Sequence, residues 1–157
     1  MGSDSSHELS KGNTYPAIAL PWGMNFWTPQ TGKMGDGWIY THKNSGLVGI
    51  RQTHQPSPWI NDYGAFSVMA TSGKLNVLEN QRKSKYKNLI VMPYYYKVKL
   101  IDFDINIEVS PTRSSAYFRL SSTTQKKINI IIDAFFKGSG ININTKKNII
   151  YGISKNN

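Results

Sequence analysis

Residues 103–109, FDINIEV, alternate strictly between apolar and polar side chains. Every odd-numbered residue from Phe103 to Val109 is apolar, and every even-numbered residue is polar. This period of two predicts a half-buried antiparallel strand, with one face in a core and the other in water. The acids on its polar face, Asp104 and Glu108, are therefore expected in solvent.

Three neighbouring segments have a similar composition: PYYYKVKLI at 93–101, SAYFRLS at 115–121 and KINIIIDAF at 127–135. Their spacing of roughly 8–14 residues predicts a meander within a β-sandwich or barrel. We find no helical periodicity beyond about three turns. The predicted fold class is all-β, a single antiparallel β-sandwich over residues 1–157. Because NIIYGISKNN resembles a strand and its turn, the sandwich is expected to be incomplete at the C-terminal end, with an unpaired edge.

Composition excludes several classes of protein. The chain has 157 residues, 39% of them apolar, which is typical of one globular domain. It has no cysteine, so disulfides, thiolate metal sites and cysteine nucleophiles are excluded. No apolar run approaches the roughly 20 residues of a membrane-spanning helix. MGSDSSHELS has neither the basic region nor the apolar core of a signal peptide.

The net charge of +10 is concentrated in the second half of the chain. Residues 74–157 contain fifteen Lys/Arg against five acids, whereas residues 1–73 are neutral. Such asymmetry can indicate nucleic-acid binding. Here the lysines are scattered among Asn and Ile, which indicates a compositional bias, and no nucleic-acid partner is expected.

Residues 52–64, QTHQPSPWINDYG, form the most informative segment. Two prolines restrict the backbone of a loop that contains an indole and several short hydrogen-bonding groups. Sugars present C–H faces that pack on aromatic rings and hydroxyls that need fixed partners. The alternative is a self-capping loop, in which Trp59 fills the core and Asp62 accepts from backbone amides.

Two further segments contain tryptophans that could belong to a binding site, and each has a purely structural alternative. In GNTYPAIALPWGMNFW, at 12–27, Trp22 could stand at the rim of a cleft, or Trp22 and Trp27 could both belong to the core. In KMGDGWIY, at 33–40, Gly-Asp-Gly resembles part of a calcium loop, but the spaced acids of such a loop are absent. Trp38 at the start of a strand is the simpler interpretation.

Catalytic motifs are absent from the sequence. There is no Gly-x-Ser-x-Gly, no His-Glu-x-x-His and no glycine loop for phosphate. Asp102 lies with the acids of the alternating strand, and Asp133 is flanked by apolar residues. An isolated acid of this kind provides no mechanism.

Taken together, GNTYPAIALPWGM, GKMGDGWIYTH and QTHQPSPWINDYG resemble, in order and spacing, the N-terminal domain of glycoside hydrolase family 92. PYYYKVKL, IDFDINIEVSPTRSSAYFRL and IIIDAFFKGS resemble that domain's later strands. The family consists of calcium-dependent, exo-acting α-mannosidases that invert the anomeric centre, many from gut Bacteroidetes. The resemblance implies an N-terminal β-sandwich joined to an (α/α)6 catalytic domain, which is absent from this chain.

The resemblance also implies the roles of individual residues. Trp59 and Asp62 are the first candidates for sugar contacts, followed by His54 and Gln55, and then by Trp22 and Trp38. No catalytic residue and no metal ligand is expected within this chain, and the calcium of the parent enzyme would be held elsewhere. The implied partners are an α-mannoside glycan, from N-glycans or mannans, and the missing (α/α)6 domain.

Two functional hypotheses follow. The chain is either a fragment of an inverting α-mannosidase, inactive alone, or a freestanding mannose-binding module without hydrolytic activity. The parent enzyme is expected to be periplasmic or secreted, although no signal peptide is present in this chain.

Overall fold

The computed structural model describes residues 15–33, 40–53, 66–124, 126–134 and 137–154, and all structural statements below concern these residues. The elements in chain order are β1 (Phe26–Gln30), β2 (Gly46–Leu47), β3 (Gly49–Thr53), β4 (Phe66–Ser72), α1 (Glu79–Arg82), β5 (Ser84–Met92), β6 (Tyr95–Leu100), β7 (Ile105–Pro111), β8 (Ala116–Ser122), β9 (Ile128–Ala134), β10 (Gly140–Asn144) and β11 (Ile149–Ile153). This composition confirms the all-β prediction.

Two antiparallel sheets form a β-sandwich. One sheet has four strands in the order β1-β3-β4-β9, and the other has five in the order β2-β5-β6-β7-β8. Side chains from both sheets meet in one buried cluster, in which the Trp27 ring lies edge-on to Phe66 at 5.7 Å and to Phe118 at 5.0 Å between ring centroids. The indole of Trp27 therefore joins the two sheets.

The predicted meander is confirmed for β6 to β8 but was wrong for β9. Strands β5 to β8 pair consecutively, and Ile105, Ile107 and Val109 are at most 1% exposed, as the alternation predicted. Strand β9 instead crosses to the other sheet and pairs with β4 along its whole length. Alternation determines which face of a strand is buried, but it does not determine the strand's partner.

Three turns meet at one end of the sandwich. The amide of Ala19 donates to the Pro93 carbonyl at 2.8 Å, and the amide of Met24 donates to the Arg113 carbonyl at 2.6 Å. These bonds hold the segment 20–24 against the β5–β6 and β7–β8 turns. We call this end, formed by residues 20–24, 92–95 and 112–115, the turn end.

The hairpin of β10 and β11 exposes apolar side chains on both faces. Its exposed apolar residues, 48–76% accessible, are Ile141, Ile143, Ile149, Ile150, Tyr151 and Ile153. Strand β11 confirms that the C-terminal segment is extended. An isolated hairpin is at best marginally stable in water, so these faces need a covering partner.

In the described parts of the chain, no helix is both long enough and apolar enough to span a membrane.

Candidate functional site

Most of the predicted sugar-contacting residues lie outside the described residues: Trp38, His54, Gln55, Trp59 and Asp62. Their roles remain predictions. Trp22 is described, and so are the strands on either side of residues 54–65. The candidate site is therefore built here from Trp22 and from the turn end around it.

Trp22 occupies a backbone position that usually requires glycine. The amide of Gly23 donates to the Leu20 carbonyl at 2.9 Å, which closes a β-turn with Pro21 in its second position. Trp22, in the third position, has a φ of 59°. This is the pattern of a type II turn, whose third residue is normally glycine because a Cβ there is strained. The left-handed conformation costs a residue such as tryptophan about 1–2 kcal/mol.

The indole of Trp22 points into solvent. Its exposed fraction is 95%, and that of nearby Met24 is 69%, whereas Trp27 is only 5% exposed. The core interpretation was thus wrong for Trp22 and is confirmed for Trp27. Strained backbone that holds a bulky apolar side chain in water is typical of functional sites rather than of packing.

Hydrogen bonds to the β7–β8 turn hold the Trp22 turn in place. Besides the bond from Met24, the buried side chain of Asn25 donates to the Arg113 carbonyl at 3.4 Å. Its Oδ1 atom accepts a hydrogen bond from the Trp27 indole. The buried indole of Trp27 therefore orients Asn25, and Asn25 in turn fixes the turn that carries Trp22. The exposed indole of Trp22 is thus held by a rigid backbone.

The ends of the strands that flank residues 54–65 lie at the same end of the sandwich. Thr53 pairs with Phe26, four residues after Trp22, and Phe66 pairs with Gln52. Beside them is an open cleft of about 450 Å³, whose lining includes Asn25, Trp27, Gln52, Phe66, Ser115 and Phe118. Thr53 and Phe66, the described residues on either side of 54–65, therefore both lie at the turn end.

Glu108 is not a solvated acid, and that prediction was wrong. It is 8% exposed, and its carboxylate accepts hydrogen bonds from the Tyr95 hydroxyl and, at 2.7 Å, from Nη2 of Arg119. Lys97 Nζ lies 3.8 Å from its other oxygen. The bonds from Arg119 and Tyr95 hold the pKa of Glu108 below its ordinary value. Asp104 is also paired, with Lys99 and Thr123, which lower its pKa.

These lowered pKa values predict a loss of stability in acid. The folded chain binds fewer protons than the unfolded chain, so the stabilisation is complete above the unfolded values of roughly 4. It is lost as pH falls through the lower folded values. Thermal unfolding followed by circular dichroism should show a melting temperature that is flat near neutrality and falls below roughly pH 4. Glu108→Gln should flatten this fall, and an unchanged profile would contradict the assignment.

Asp133 forms an ion pair with a buried arginine. Arg82, 1% exposed, donates from Nη2 to Asp133 at 2.5 Å, from Nε to the Val48 carbonyl and from Nη1 to the Val77 carbonyl, both at 3.0 Å. Asp133 was predicted to be an isolated acid. Its partner lies 51 residues away in the short helix α1, which no sequence pattern indicated.

The described residues contain no group of three or more His, Cys, Asp or Glu side chains that could hold a metal ion. A calcium ion in a parent enzyme, with its ligands outside this chain, remains a prediction.

The sequence profile of the glycosyl hydrolase family 92 N-terminal domain matches residues 1–157. The chain belongs to this family. Among solved structures, this family 92 domain is similar to the inverting mannosidase BT2199 of Bacteroides thetaiotaomicron VPI-5482, with 42% identity and a TM-score of 0.87. The match covers 100% of this chain and 22% of that one.

A second family 92 structure, the α-mannosidase BT3965 of Bacteroides thetaiotaomicron, shares the fold at 24% identity and a TM-score of 0.71. That match covers 84% of this chain and 18% of the other. The family 92 domain thus spans about a fifth of the length of the structures it matches. A search of the curated proteins found no match.

Proposed function

We propose that this chain is part of an inverting α-mannosidase and supplies sugar contacts to its active site. The observation that carries the proposal is the strained and almost fully exposed Trp22, held rigidly at the turn end of a family 92 N-terminal domain. The strain costs stability without improving packing. A ligand that packs on the indole explains why a tryptophan occupies this strained position.

The remaining contacts are assigned to the segment between β3 and β4. In this proposal Trp59 packs on the mannose ring, Asp62 accepts from two of its hydroxyls, and His54 and Gln55 donate or accept further hydrogen bonds. Trp38 and Trp22 contribute at the rim. The position of Thr53 and Phe66 beside the Trp22 turn supports this grouping.

Hydrolysis itself is assigned to the remainder of the parent enzyme. Inversion requires one carboxylic acid that protonates the leaving oxygen and one carboxylate that activates water, roughly 6.5–9.5 Å apart. In the described ranges, Asp104, Glu108 and Asp133 are each bound to a cation and serve the fold. We therefore place the acid, the base and the calcium in the larger (α/α)6 domain. The parent enzyme is proposed to be periplasmic or secreted, with an α-mannoside of N-glycans or mannans as its substrate.

Calorimetric titration with α-linked mannobiose tests the sugar contacts. Because most of the active site is assigned to the other domain, we expect weak binding, with a dissociation constant of about 1–10 mM, and no hydrolysis. Asp62→Ala should abolish the heat of binding. Asp102→Asn, in the β6–β7 turn at the opposite end of the sandwich, is the matched control and should bind as the unmodified chain does.

Three outcomes separate the hypotheses. Hydrolysis of the disaccharide by the 157-residue chain would contradict the placement of the acid and base outside it. Binding tighter than about 10 µM without hydrolysis would favour a freestanding mannose-binding module. Heat that persists unchanged in Asp62→Ala would contradict the assignment of the sugar-contacting loop.

A further inference from the structure

The outer face of the five-stranded sheet has a shallow trough close to the β7–β8 turn. Its volume is about 280 Å³, and its lining residues are Tyr95, Glu108, Ser110, Tyr117, Phe118 and Arg119. The trough is distinct from the turn-end cleft beside Trp27. The four-residue turn 112–115, whose Arg113 carbonyl holds the Trp22 turn, separates β7 from β8 just above it.

An exposed aromatic ring forms one wall of the trough. Tyr117 is 75% exposed and pairs across the strands with Ser110. Because serine is small, the floor beside the ring stays open and the ring face is accessible. Tyr95 lines the trough from the neighbouring strand β6. A pyranose ring could pack its C–H face on such a wall.

Fixed hydrogen-bonding groups form the opposite side. The Glu108 side chain is only 10% exposed and is held by Tyr95, Arg119 and Lys97, so its position is set before any ligand arrives. Arg119 is paired with Glu108 through Nη2, yet its side chain is 74% exposed and presents further N–H donors to the trough. Preorganised donors of this kind reduce the entropy lost on binding.

The charges in the trough favour a neutral ligand. The single carboxylate already faces two cations, Arg119 and Lys97, so a metal ion would have to displace them. An anion would have to compete with Glu108 for the same guanidinium. An uncharged, hydroxylated ligand does not have to break the ion pairs of Glu108. It can accept hydrogen bonds from the exposed donors and pack on the aromatic wall.

We propose that this trough is a second sugar-contacting site, which binds a neutral hexopyranose unit of a glycan. The existence of the site follows from Tyr117, Ser110, Glu108 and Arg119. The choice of mannose as that unit rests on the proposed function. The site contributes affinity for a glycan away from the cleaved bond.

NMR titration of the 157-residue chain with methyl α-mannoside tests the proposal, with the ring signals of Tyr95 and the guanidinium signal of Arg119 as reporters. We expect both signals to shift in a saturable manner, with a dissociation constant of about 10 mM. Tyr117→Ala should reduce the affinity about ten-fold or more, through loss of the aromatic wall. Ser110→Leu should do the same by filling the floor.

The controls distinguish this site from the turn end. Tyr151→Ala removes an exposed tyrosine of the β10–β11 hairpin and should leave the shifts intact. Shifts confined to the Trp22 indole would overturn this inference while supporting the proposed function. Shifts at Arg119 without any at Trp22 would support the second site and count against the turn end. Unshifted Tyr95 and Arg119 signals at saturating sugar would overturn the inference outright.

Discussion

Asp133→Ala is expected to lower the free energy of unfolding by about 2–4 kcal/mol. The substitution removes the nearest carboxylate from the guanidinium of Arg82, which is 1% exposed, and leaves Glu79, 3.7 Å away, as its remaining acid. Breaking a fully buried ion pair costs about 3–5 kcal/mol, and the lower figure allows for the 27% exposure of the Asp133 side chain. Domains of this kind have total stabilities of only about 5–15 kcal/mol, so the effect is large.

Urea unfolding followed by tryptophan fluorescence measures this loss. Asp102→Asn, which removes the charge in the β6–β7 turn but keeps an acceptor for the Lys85 amide, is the control and should cost less than about 1 kcal/mol. Adding Arg82→Met to Asp133→Ala should recover part of the loss, because it removes the buried positive charge that no longer has its nearest carboxylate. A loss below about 0.5 kcal/mol for Asp133→Ala would show that the pair does not stabilise the sandwich.

Trp22→Gly is expected to stabilise the fold while weakening sugar binding. Glycine adopts the φ of 59° without strain, which recovers about 1–2 kcal/mol, and part of this is offset by glycine's larger entropy in the unfolded chain. The net gain should be about 0.5–1 kcal/mol. Loss of the exposed indole should weaken mannobiose binding up to about ten-fold.

Trp22→Ala separates these two effects. Alanine removes the indole but keeps a Cβ at the strained position, so it should weaken binding without the gain in stability. Urea unfolding gives the free energy of unfolding of each variant, and calorimetric titration gives its dissociation constant for mannobiose. If glycine destabilised the chain, the turn would not be strained. If binding were equal in all three chains, Trp22 would have no part in the site.

Four strands in the second half of the chain, β6 to β9, were predicted from the sequence. Alternation over 103–109 identified the buried face of β7, because a period of two follows directly from strand geometry. Strand β5 was not predicted, because polar and apolar residues do not alternate regularly in SKYKNLIVM. Its pairing with β6 also shifts register between Asn88 and Ile90. The crossing of β9 to the other sheet depends on contacts between segments far apart in the chain, which no local pattern encodes.

The candidate site was predictable only in part. The sequence indicated the rim of a cleft as one of two places for Trp22, but it did not indicate the strained backbone conformation of this residue. Pro21 with Gly23 two residues later is the spacing of a type I turn, which has no left-handed residue, so no sequence signal predicted the conformation of Trp22. The pairing of Glu108 with Arg119 could have been suspected from charges of opposite sign on adjacent strands, whereas Arg82 and Asp133 gave no such signal.

The exposed isoleucines of the β10–β11 hairpin bear on how the proposed parent enzyme is made. Translation proceeds at about 5–20 residues per second, and domains generally fold as they emerge. The sandwich would therefore form first. The apolar side chains of the β10–β11 hairpin would then be exposed to water for many seconds, while the larger domain was being synthesised. During that interval the hairpin's open edges could pair with other nascent chains. Among the described residues, the hairpin is therefore the segment that most needs protection from aggregation until another part of the proposed enzyme covers it.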